Sequence, residues 1–439
     1  MAKVVLTIGG SDSGGGAGVQ ADIKTFSVLG LHGTSAITAV TAQNTLGVQR
    51  VFPLGPEEVR AQLESITSDF HVAYAKTGML HSAEIVVAVA DHLMAEGIPF
   101  VLDPVIEAEA GGRLLSDDAL EAVKRHLIPA SRVVTPNILE AEALTGVRVV
   151  DIATADRAAE RIISLGAAAV IVKGGHLDCT DLVRQGSQVC TLQGERASGG
   201  THGVGCTYSA ALTSFLALGH PLREAAIRAK GFAAASVAGS KGVGHGAGPV
   251  DQSAGLRDEA DRFRVLTDVS EAVELLMAEP SLEALIPEVG SNIGMGTERA
   301  SSIQDVAAVE GRLVRAGGRI RPGCVRFGAS SHISRLILEI MRFYPAARAA
   351  MNLSIRSLPA CESIGLTIAE FDRGMEPAGG DTMSWGAREA IEAAGCLPDV
   401  IWDRGAVGKE PMVRLIGRSA TEVARRAQEL ARLSRDGKI

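Results

Sequence analysis

Short apolar runs alternate with amphipathic stretches through the first 250 residues of the chain. The apolar runs predict strands over residues 4–8, 36–41, 73–76, 100–103, 132–135 and 168–173. The stretches between them predict helices that begin near residues 21, 56, 83, 117 and 155. This alternation is typical of a mainly parallel sheet with helices on both faces, in which ligands bind beyond the carboxyl ends of the strands.

The pattern changes after a glycine cluster at residues 242–249 and a polar stretch at residues 251–262. We therefore predict a first domain over residues 1–255, a linker over 256–267 and a second domain over 268–439. The second domain is predicted to contain helices over 268–278, 300–316, 332–343 and 384–395, strands over 324–329, 350–357, 366–372, 399–403 and 411–416, and a final helix. Capping-box patterns at Asp268 with Glu271 and at Ser419 with Glu422 predict the first and last helix starts. These elements indicate a smaller α/β domain.

Composition narrows the class of protein. Hydrophobic residues make up 46% of the chain and charged residues 21%, which is typical of globular domains. Because no run approaches the roughly 18 apolar residues of a membrane span and no cleavage signature follows Met1, a cytoplasmic protein without membrane contact is expected. The six cysteines form no CxxC pair, which argues against a zinc site and a disulfide framework.

Charge is distributed unevenly along the chain. The net charge of −8 combines −13 over residues 1–298 with +5 over residues 299–439, where 19 of the 21 basic residues are arginine. Arginine suits bidentate contacts with phosphate, so this region is expected to meet a polyanionic small ligand or nucleic acid. Ordinary surface arginine is the alternative.

Two glycine-rich turns stand where helices are predicted to begin. The sequence GGSDSGGGAG at residues 9–18 follows the first strand and could bring backbone amides close to a ligand, although such turns are often structural. The sequence SGGTHGVGCT at residues 198–207 runs into an apolar helix. The amides around Gly203 and Gly205 are expected to form an anion hole for a transferring phosphoryl group, and the same field would favour the thiolate of Cys206. A capped helix with a buried cysteine is the alternative.

A third turn, GASSH at residues 328–332, joins a predicted strand to an amphipathic helix. Ser330, Ser331 and His332 would then lie at a helix N-terminus, where a diphosphate could be held with help from Arg312. The alternative is an N-cap serine beside a surface histidine.

Several motifs in the first 250 residues resemble the ribokinase-like superfamily. They are the turn at 203–206, NILE at 137–140, VKGGH at 172–176 and GHGAGP at 244–249. More narrowly, residues 10–26 and TAQNT at 41–45 are similar to hydroxymethylpyrimidine and hydroxymethylpyrimidine-phosphate kinases. This resemblance implies an α/β/α kinase that uses ATP and Mg²⁺ to phosphorylate 4-amino-5-hydroxymethyl-2-methylpyrimidine to its phosphate and then to its diphosphate.

The resemblance also implies roles for individual residues. It places Gly10, Asp22, Gln43 and Met79 at the pyrimidine, Asn137, Lys173 and Lys230 at ATP, and Asp103 and Glu140 at Mg²⁺, with Gly203, Gly205 and Cys206 catalytic. Sugar kinases of the superfamily have an aspartate base where this chain has Cys206, so the cysteine points to pyrimidine kinases or some pyridoxal kinases. Val204 stands where the family commonly has threonine.

Residues 268–439 resemble the ThiN-type thiamine-phosphate synthase domain. The likeness rests on residues 312–319, 327–332, 351–353, 371–377 and 398–411. It implies coupling of hydroxymethylpyrimidine diphosphate with thiazole phosphate, in which Arg312, His332, Arg373 and Lys409 neutralise the diphosphate and Asp372 binds a metal or orients a partner. The alternative is a pyridoxal-type kinase with a non-catalytic ligand-sensing domain. Small-molecule partners and a homodimer are expected, and no nucleic acid.

Overall fold

The protein is described here by a computed structural model that covers residues 2–107, 114–175, 177–377 and 381–435. Its chain divides into two compact units, Met1–Leu256 and Arg257–Ile439. Among the described residues, no helix is long and apolar enough to cross a membrane.

The first unit is built on a nine-stranded sheet. Its strands are β1 Val4–Asp12, β2 His32–Asn44, β3 Gly47–Pro53, β4 Val72–Thr77, β5 Phe100–Leu102, β6 Val133–Val134, β7 Val170–Val172, β8 Asp181–Gln185 and β9 Gln188–Leu192. Their order is β3-β2-β1-β4-β5-β6-β7-β8-β9. The six strands from β2 to β7 in this order are parallel, whereas β3, β8 and β9 pair antiparallel at the two edges. The sequence did not predict these three edge strands.

Helices cover both faces of this sheet. They are α1 Gly18–Val28, α2 Pro56–Thr67, α3 Ala83–Ala95, α4 Asp117–Ala122, α5 Ile138–Thr145, α6 Ile152–Ser164, α7 Val204–Ala217 and α8 Leu222–Ala238, with a π-helical turn Val123–Leu127 after α4. Helices α2 to α6 bury their apolar residues in one core, and α1, α7 and α8 bury theirs in the cores on the other face. Strands buried on both faces read as continuous apolar runs, as the sequence predicted. The α/β/α architecture is confirmed.

The order of the strands locates the ligand-binding edge. The chain passes from β1 to β2 on one side and later to β4 on the other, so the topology switches between β1 and β4. In an open α/β sheet, the crevice beyond the carboxyl ends of the strands at such a point is where ligands bind.

The second unit is built on a mixed seven-stranded sheet beside a small hairpin. Its strands are β10 Ile293–Gly296, β11 Val306–Val309, the hairpin strands β12 Val314–Arg315 and β13 Ile320–Arg321, then β14 Val325–Phe327, β15 Ala349–Ser354, β16 Ile368–Glu370, β17 Val400–Asp403 and β18 Met412–Gly417. The large sheet has the order β14-β11-β10-β15-β18-β17-β16, and among the residues that the structure describes only β16 and β17 pair in parallel.

Helices cover both faces of this sheet. They are α9 Ala254–Met277, α10 Ser331–Phe343, α11 Leu358–Ser363, α12 Thr382–Ala394 and α13 Ala420–Arg435. Helices α10 and α12 pack on one face, and α9, α11 and α13 contribute to the core on the other. The predicted α/β class of this domain therefore holds.

The helix predicted over residues 300–316 is wrong. Val306–Val309 is strand β11, which lies between β10 and β14 in the sheet. All four of its side chains are buried. Gly311 and Arg312 then adopt left-handed backbone conformations, with φ of 69° and 70°, which a helix cannot accommodate. A short Val/Ala run buried on two faces has no periodicity that separates strand from helix.

The predicted linker also takes another form. Residues 256–267 lie within α9, so Asp268 is in the middle of a helix and does not begin one. Its carboxylate accepts hydrogen bonds from the amides of Ala420 and Thr421, at 3.2 and 3.0 Å, at the start of α13. At that same start, the Glu422 amide donates to the hydroxyl of Ser419, which confirms the second predicted cap.

Candidate active sites

The start of helix α7 forms the centre of the candidate kinase site. Gly203 is its N-cap in a left-handed conformation with φ of 87°, and a β-carbon there would lie 1.9 Å from the carbonyl oxygen of Gly16. A β-carbon on Gly205 would meet only the Nζ atom of Lys173, at 3.6 Å. The helix therefore presents its first amides beside an ammonium group, which is a favourable site for an anion.

Two carboxylates hold that ammonium group in place. The Nζ atom of Lys173 lies 2.8 Å from Asp103 and 4.0 Å from Glu140. The hydroxyls of Thr135 and Ser209 also donate to Asp103, at 3.1 and 3.0 Å. Burial disfavours a charge on Lys173, but the neighbouring carboxylates outweigh it and raise the pKa of the amine, so it is a cation at neutral pH.

The NILE tetrad has a structural task. Asn137 is the N-cap of α5, and its side chain accepts from the Glu140 amide while the Glu140 carboxylate accepts from the Asn137 amide, at 2.8 and 2.7 Å. This is a reciprocal capping box. Burial, with Asp103 nearby, raises the pKa of Glu140 to about 7. Glu140 is therefore poised to gain or lose a proton, or to respond to a cation.

Asp22 and Lys76 form a buried ion pair at the topological switch. The Lys76 ammonium lies 3.0 and 2.8 Å from the two carboxylate oxygens of Asp22, and the Thr7 hydroxyl donates to the same carboxylate at 2.6 Å. Both charged side chains are only 1% exposed. Asp22, predicted at the pyrimidine, is thus already paired, and Lys76 was not predicted as a site residue. The only sequence signal for Lys76 is a lysine near the end of a buried strand.

Cys206 lies in the first turn of α7. The prediction that its thiolate is favoured is wrong. Burial raises the pKa of Cys206 to about 11, and the carboxylates of Asp22 and Asp103 add to this effect. The charge of Lys76 opposes them without overcoming the desolvation. Cys206 as a residue is partly exposed, and its thiol is protonated at neutral pH.

The first glycine-rich turn is closed by its own aspartate. The carboxylate of Asp12 accepts from the amides of Gly14, Gly16 and Ala17 at 2.7–2.9 Å, and the His202 Nε2 atom lies 2.9 Å away. Despite the opposing effect of burial, these partners lower the pKa of Asp12. These three amides are therefore engaged within the protein, and the turn positions α1 more than it offers donors to a ligand.

The predicted pyrimidine residues lie at the ends of β1, β2 and β4. A β-carbon on Gly10 would meet the Met79 sulfur at 3.0 Å, so the glycine allows that side chain to pack closely. The Gln43 amide nitrogen lies 3.3 Å from His202 Nε2, and the Thr41 hydroxyl donates to the Gln43 oxygen at 3.2 Å. Because His202 Nε2 donates to Asp12, only the Thr41 contact orients the Gln43 amide.

Lys230 is engaged away from the anion hole. Its ammonium group pairs with Asp181 at 2.9 Å and donates to the carbonyl of Cys179 at 2.6 Å, while the other carboxylate oxygen of Asp181 accepts from the amide of Gly174. Lys230 thus supports the segment that follows Lys173. His176, part of the predicted VKGGH motif, lies outside the described residues.

In the second unit, a cluster of positive charge surrounds the start of α10. Ser330 is the N-cap of this helix, and its side chain makes no capping hydrogen bond, whereas Ser331 and His332 are exposed. Although His332 reaches the surface, the surrounding protein partly desolvates its imidazole and lowers its pKa, and the charges of Arg312, Arg335 and Arg373 lower the pKa further against the opposing charge of Asp381. The Arg312 guanidinium is anchored by the carbonyl of Val289, at 2.6 Å. The predicted anion site at residues 330–332 is therefore electropositive, with a neutral histidine.

A buried carboxylate orients one of these arginines. Asp403 is fully buried and pairs with Arg373 and Arg414, each at 2.7 Å, and it also accepts from the amide of Gly405. The two guanidinium side chains are 9% and 3% exposed. Neither Asp403 nor Arg414 was predicted as a site residue, because nothing in their spacing shows that two strands bring them together.

The remaining predicted residues of this unit lie in turns. The carboxylate of Asp372 accepts from the amide of Gly374 at 2.8 Å, and Lys409 is exposed in a turn closed on Ala406. Within the described ranges, no group of three or more His, Cys, Asp or Glu side chains could hold a metal ion. A metal-binding role for Asp372 therefore stays a prediction.

Comparison with known families matches both units. The phosphomethylpyrimidine kinase family model matches residues 12–251, and the thiamine-phosphate synthase ThiN model matches residues 268–429. The bifunctional thiamine biosynthesis protein ThiDN of Methanocaldococcus jannaschii is 32% identical over 98% of this chain and 99% of its own. The hydroxymethylpyrimidine/phosphomethylpyrimidine kinase of Haemophilus influenzae is 49% identical over 57% of this chain and 96% of its own.

Solved structures resemble the first unit. A pyridoxal kinase of Bacillus subtilis in an ADP complex is 35% identical, with a TM-score of 0.54, over 58% of this chain and 99% of that chain. The pyridoxal kinase of Staphylococcus aureus in complex with pyridoxal is 36% identical, with the same TM-score, over 58% of this chain and 96% of that chain. The full-length relative nevertheless favours a bifunctional enzyme over a pyridoxal-type kinase with a sensor domain. The chain belongs to the family of bifunctional thiamine biosynthesis proteins, in which a phosphomethylpyrimidine kinase precedes a ThiN-type thiamine-phosphate synthase.

Proposed function

We propose that the first unit phosphorylates hydroxymethylpyrimidine and then its phosphate at one site, with ATP as the phosphoryl donor. The observation that carries this proposal is that the Lys173 ammonium, held by Asp103, lies beside Gly205 at the start of α7. A helix N-terminus and a fixed cation stabilise the charge that develops on a transferring phosphoryl group. Lys173 and Asn137 would meet the phosphates of ATP, and Lys230 would support that end of the site.

The pyrimidine would lie at the ends of β1 and β4. Gln43 offers an amide for hydrogen bonds with the aminopyrimidine edge, and Met79 would pack near the ring above Gly10. The carboxylate of Asp22, which is paired with Lys76, would contribute a hydrogen-bond acceptor for the pyrimidine. The Thr41 contact supports this role for Gln43, because an amide that is oriented before binding loses less entropy when the ligand arrives.

Asp103 and Glu140 fit a magnesium site that is completed by ATP. Mg²⁺ often binds one or two carboxylates together with phosphate oxygens and water, so two protein carboxylates suffice. The raised pKa of Glu140 supports this reading, because two buried carboxylates beside a single ammonium group favour further positive charge. Bound Mg²⁺ would supply charge neutralisation at the phosphates, while Lys173 keeps the carboxylates in place.

Cys206 would act differently in the two transfers. In the first, the substrate hydroxyl oxygen forms a bond to the γ-phosphorus, the bond to ADP breaks, and the hydroxyl proton passes to the small thiolate fraction of Cys206. The second transfer begins from a phosphate oxygen that is already ionised, so it needs no base. Cys206→Ala is therefore expected to slow the first transfer much more than the second, as measured separately with hydroxymethylpyrimidine and with its phosphate.

We propose that the second unit couples the diphosphate product with thiazole phosphate. The thiazole nitrogen attacks the pyrimidine methylene carbon, and diphosphate leaves with the electron pair of the breaking carbon–oxygen bond. Arg312, Arg373 and Lys409 would neutralise the leaving group, with Ser330, Ser331 and the neutral His332 donating hydrogen bonds at the start of α10. Asp372 would bind a metal or orient a partner.

One reaction series tests both halves. The purified chain with ATP, Mg²⁺, hydroxymethylpyrimidine and thiazole phosphate is expected to yield thiamine phosphate and pyrophosphate, detected by mass spectrometry. A second arm supplies preformed pyrimidine diphosphate without ATP, and failure to form thiamine phosphate even from this diphosphate would refute the synthase proposal. A third arm offers pyridoxal, and faster turnover of pyridoxal than of hydroxymethylpyrimidine would refute the pyrimidine specificity. Light scattering and cell fractionation test the proposed homodimer and its cytoplasmic location.

A further inference from the structure

Lys76 is a buried charge that the proposed reaction does not yet use. Its neighbours on β4 are apolar or small, and its strand partner on β1 is Thr7. The ammonium is 1% exposed and makes bidentate contacts, at 2.8 and 3.0 Å, with an aspartate 54 residues away on α1. Desolvation of two charges commonly offsets their mutual attraction, so stability alone does not account for such a pair.

The position of this pair links it to the reacting groups. A β-carbon on Gly78 would lie 3.2 Å from Lys76 Nζ, so the ammonium lies beneath the end of β4 that leads into Met79. Strand β4 and helix α1 both pack against α7, the helix that carries Cys206. The charged groups that act on the Cys206 thiol are Lys76 from β4, Asp22 from α1, Asp103 after β5 and Lys173 after β7.

We propose that Lys76 is a positioning residue for phosphoryl transfer, which orients the Asp22 carboxylate toward the pyrimidine and places a positive charge beside the thiol of Cys206. The first role follows from the bidentate contact, because two hydrogen bonds fix the plane of the carboxylate. The second role rests on the proposed function of Cys206 as the base of the first transfer. Without the cation, the thiol would lose the one neighbouring charge that lowers its pKa among Lys76, Asp22 and Asp103.

The two members of the pair have opposite effects on the thiol. Lys76 favours the thiolate, whereas Asp22 disfavours it. Removing the cation should therefore make Cys206 harder to deprotonate, and removing the anion should make it easier. A purely structural role would disturb packing in both variants and would not produce changes of opposite sign.

The rate of alkylation by iodoacetamide at pH 9 measures this difference in the full-length protein. Mass spectrometry of the peptide that contains Cys206 separates its reaction from that of the other five cysteines. At a pH below the thiol pKa of about 11, the rate follows the thiolate fraction, so one pKa unit corresponds to about a tenfold change in rate. Asp22→Asn is expected to react faster than the native protein, and Lys76→Met more slowly.

Matched variants keep the test decisive. Arg184→Met removes a guanidinium from another pair, with Asp156, and is expected to leave the Cys206 rate unchanged. If Lys76→Met does not fold, the double variant Asp22→Asn/Lys76→Met replaces the pair with neutral groups and is compared with Asp22→Asn alone. A slower rate in the double variant supports the proposal.

Equal rates in the double variant and Asp22→Asn, or changes of the same sign in the two single variants, would overturn the proposal. The orienting role is tested by the Michaelis constant for hydroxymethylpyrimidine, which should rise in Lys76→Met and be partly restored in Lys76→Arg. If Cys206→Ala keeps the full rate of the first transfer, the base role fails while the alkylation result still reports on Lys76.

Discussion

Asp403 is a buried carboxylate that pairs with two arginines, so its replacement allows a quantitative prediction of the stability of the second unit. Asp403→Asn keeps the size of the side chain and an oxygen for the Gly405 amide, but leaves Arg373 and Arg414 without their carboxylate. Removing one partner of a buried ion pair destabilises a protein by about 3–5 kcal/mol. Because the two guanidinium groups share one carboxylate, we expect a single loss of this size and not twice as much.

Intrinsic fluorescence isolates the unit in which this loss should occur. The chain has two tryptophans, Trp385 and Trp402, and both lie in the second unit. With a urea m-value of about 2 kcal/mol per molar, a loss of about 3 kcal/mol lowers the midpoint of the fluorescence transition by about 1.5 M. The Michaelis constant for pyrimidine diphosphate should also rise, since Arg373 loses its anchor.

An exposed ion pair provides the control. Glu370→Gln removes the partner of Arg404, whose side chain is 77% exposed, and should leave the fluorescence midpoint unchanged. A midpoint in Asp403→Asn that matches this control would refute the inference that the buried carboxylate stabilises the second unit.

Three further predictions concern single positions. Gly203→Ala should lower both the melting temperature and kcat, because its methyl group would strike the backbone of the first glycine-rich turn at Gly16. Gly205→Ala should keep the melting temperature and lower kcat about 100-fold. Equal melting temperatures in the two variants would contradict this difference. With the pKa of Glu140 raised from 4.5 to about 7, the stability contributed by its protonated form is complete below pH 4.5 and lost as the pH rises to about 7. Glu140→Gln should remove this slope from urea titrations followed by circular dichroism, and an unchanged slope would assign it to another group. Asp268→Ala removes the acceptor of two amides at the start of α13, beside the Ser419 cap, and should cost about 1 kcal/mol in the fluorescence transition, so a midpoint equal to the native one would exclude a stabilising role for Asp268.

Much of the fold followed from local patterns in the chain. Continuous apolar runs predicted the central parallel strands, because a strand covered by helices on both faces has no polar side. The pair at Ser419 and Glu422 predicted the start of α13, because caps use residues that are close in sequence. The pattern failed at β11, where a short buried Val/Ala run fits a helix as well as a strand.

The candidate sites were predictable in outline for a similar reason. Parallel strands bring their carboxyl ends to one edge, so Gln43, Asp103 and Lys173 could be expected together once the strands were recognised. Resemblance to known kinases supplied their roles. The order of the strands then placed the switch point between β1 and β4, which no single segment of the sequence encodes.

Only the tertiary structure decided which charges are paired and which groups ionise. The contact of Asp12 with His202 joins residues 190 positions apart, and the pair of Lys76 with Asp22 joins residues 54 positions apart. The pKa of Cys206 depends on how much water the fold removes and on the charges it brings near, and both are properties of three-dimensional packing. Local patterns therefore account for most of the central elements and for the chemical types of the site residues, whereas the pairing and protonation of those residues depend on contacts between distant parts of the chain.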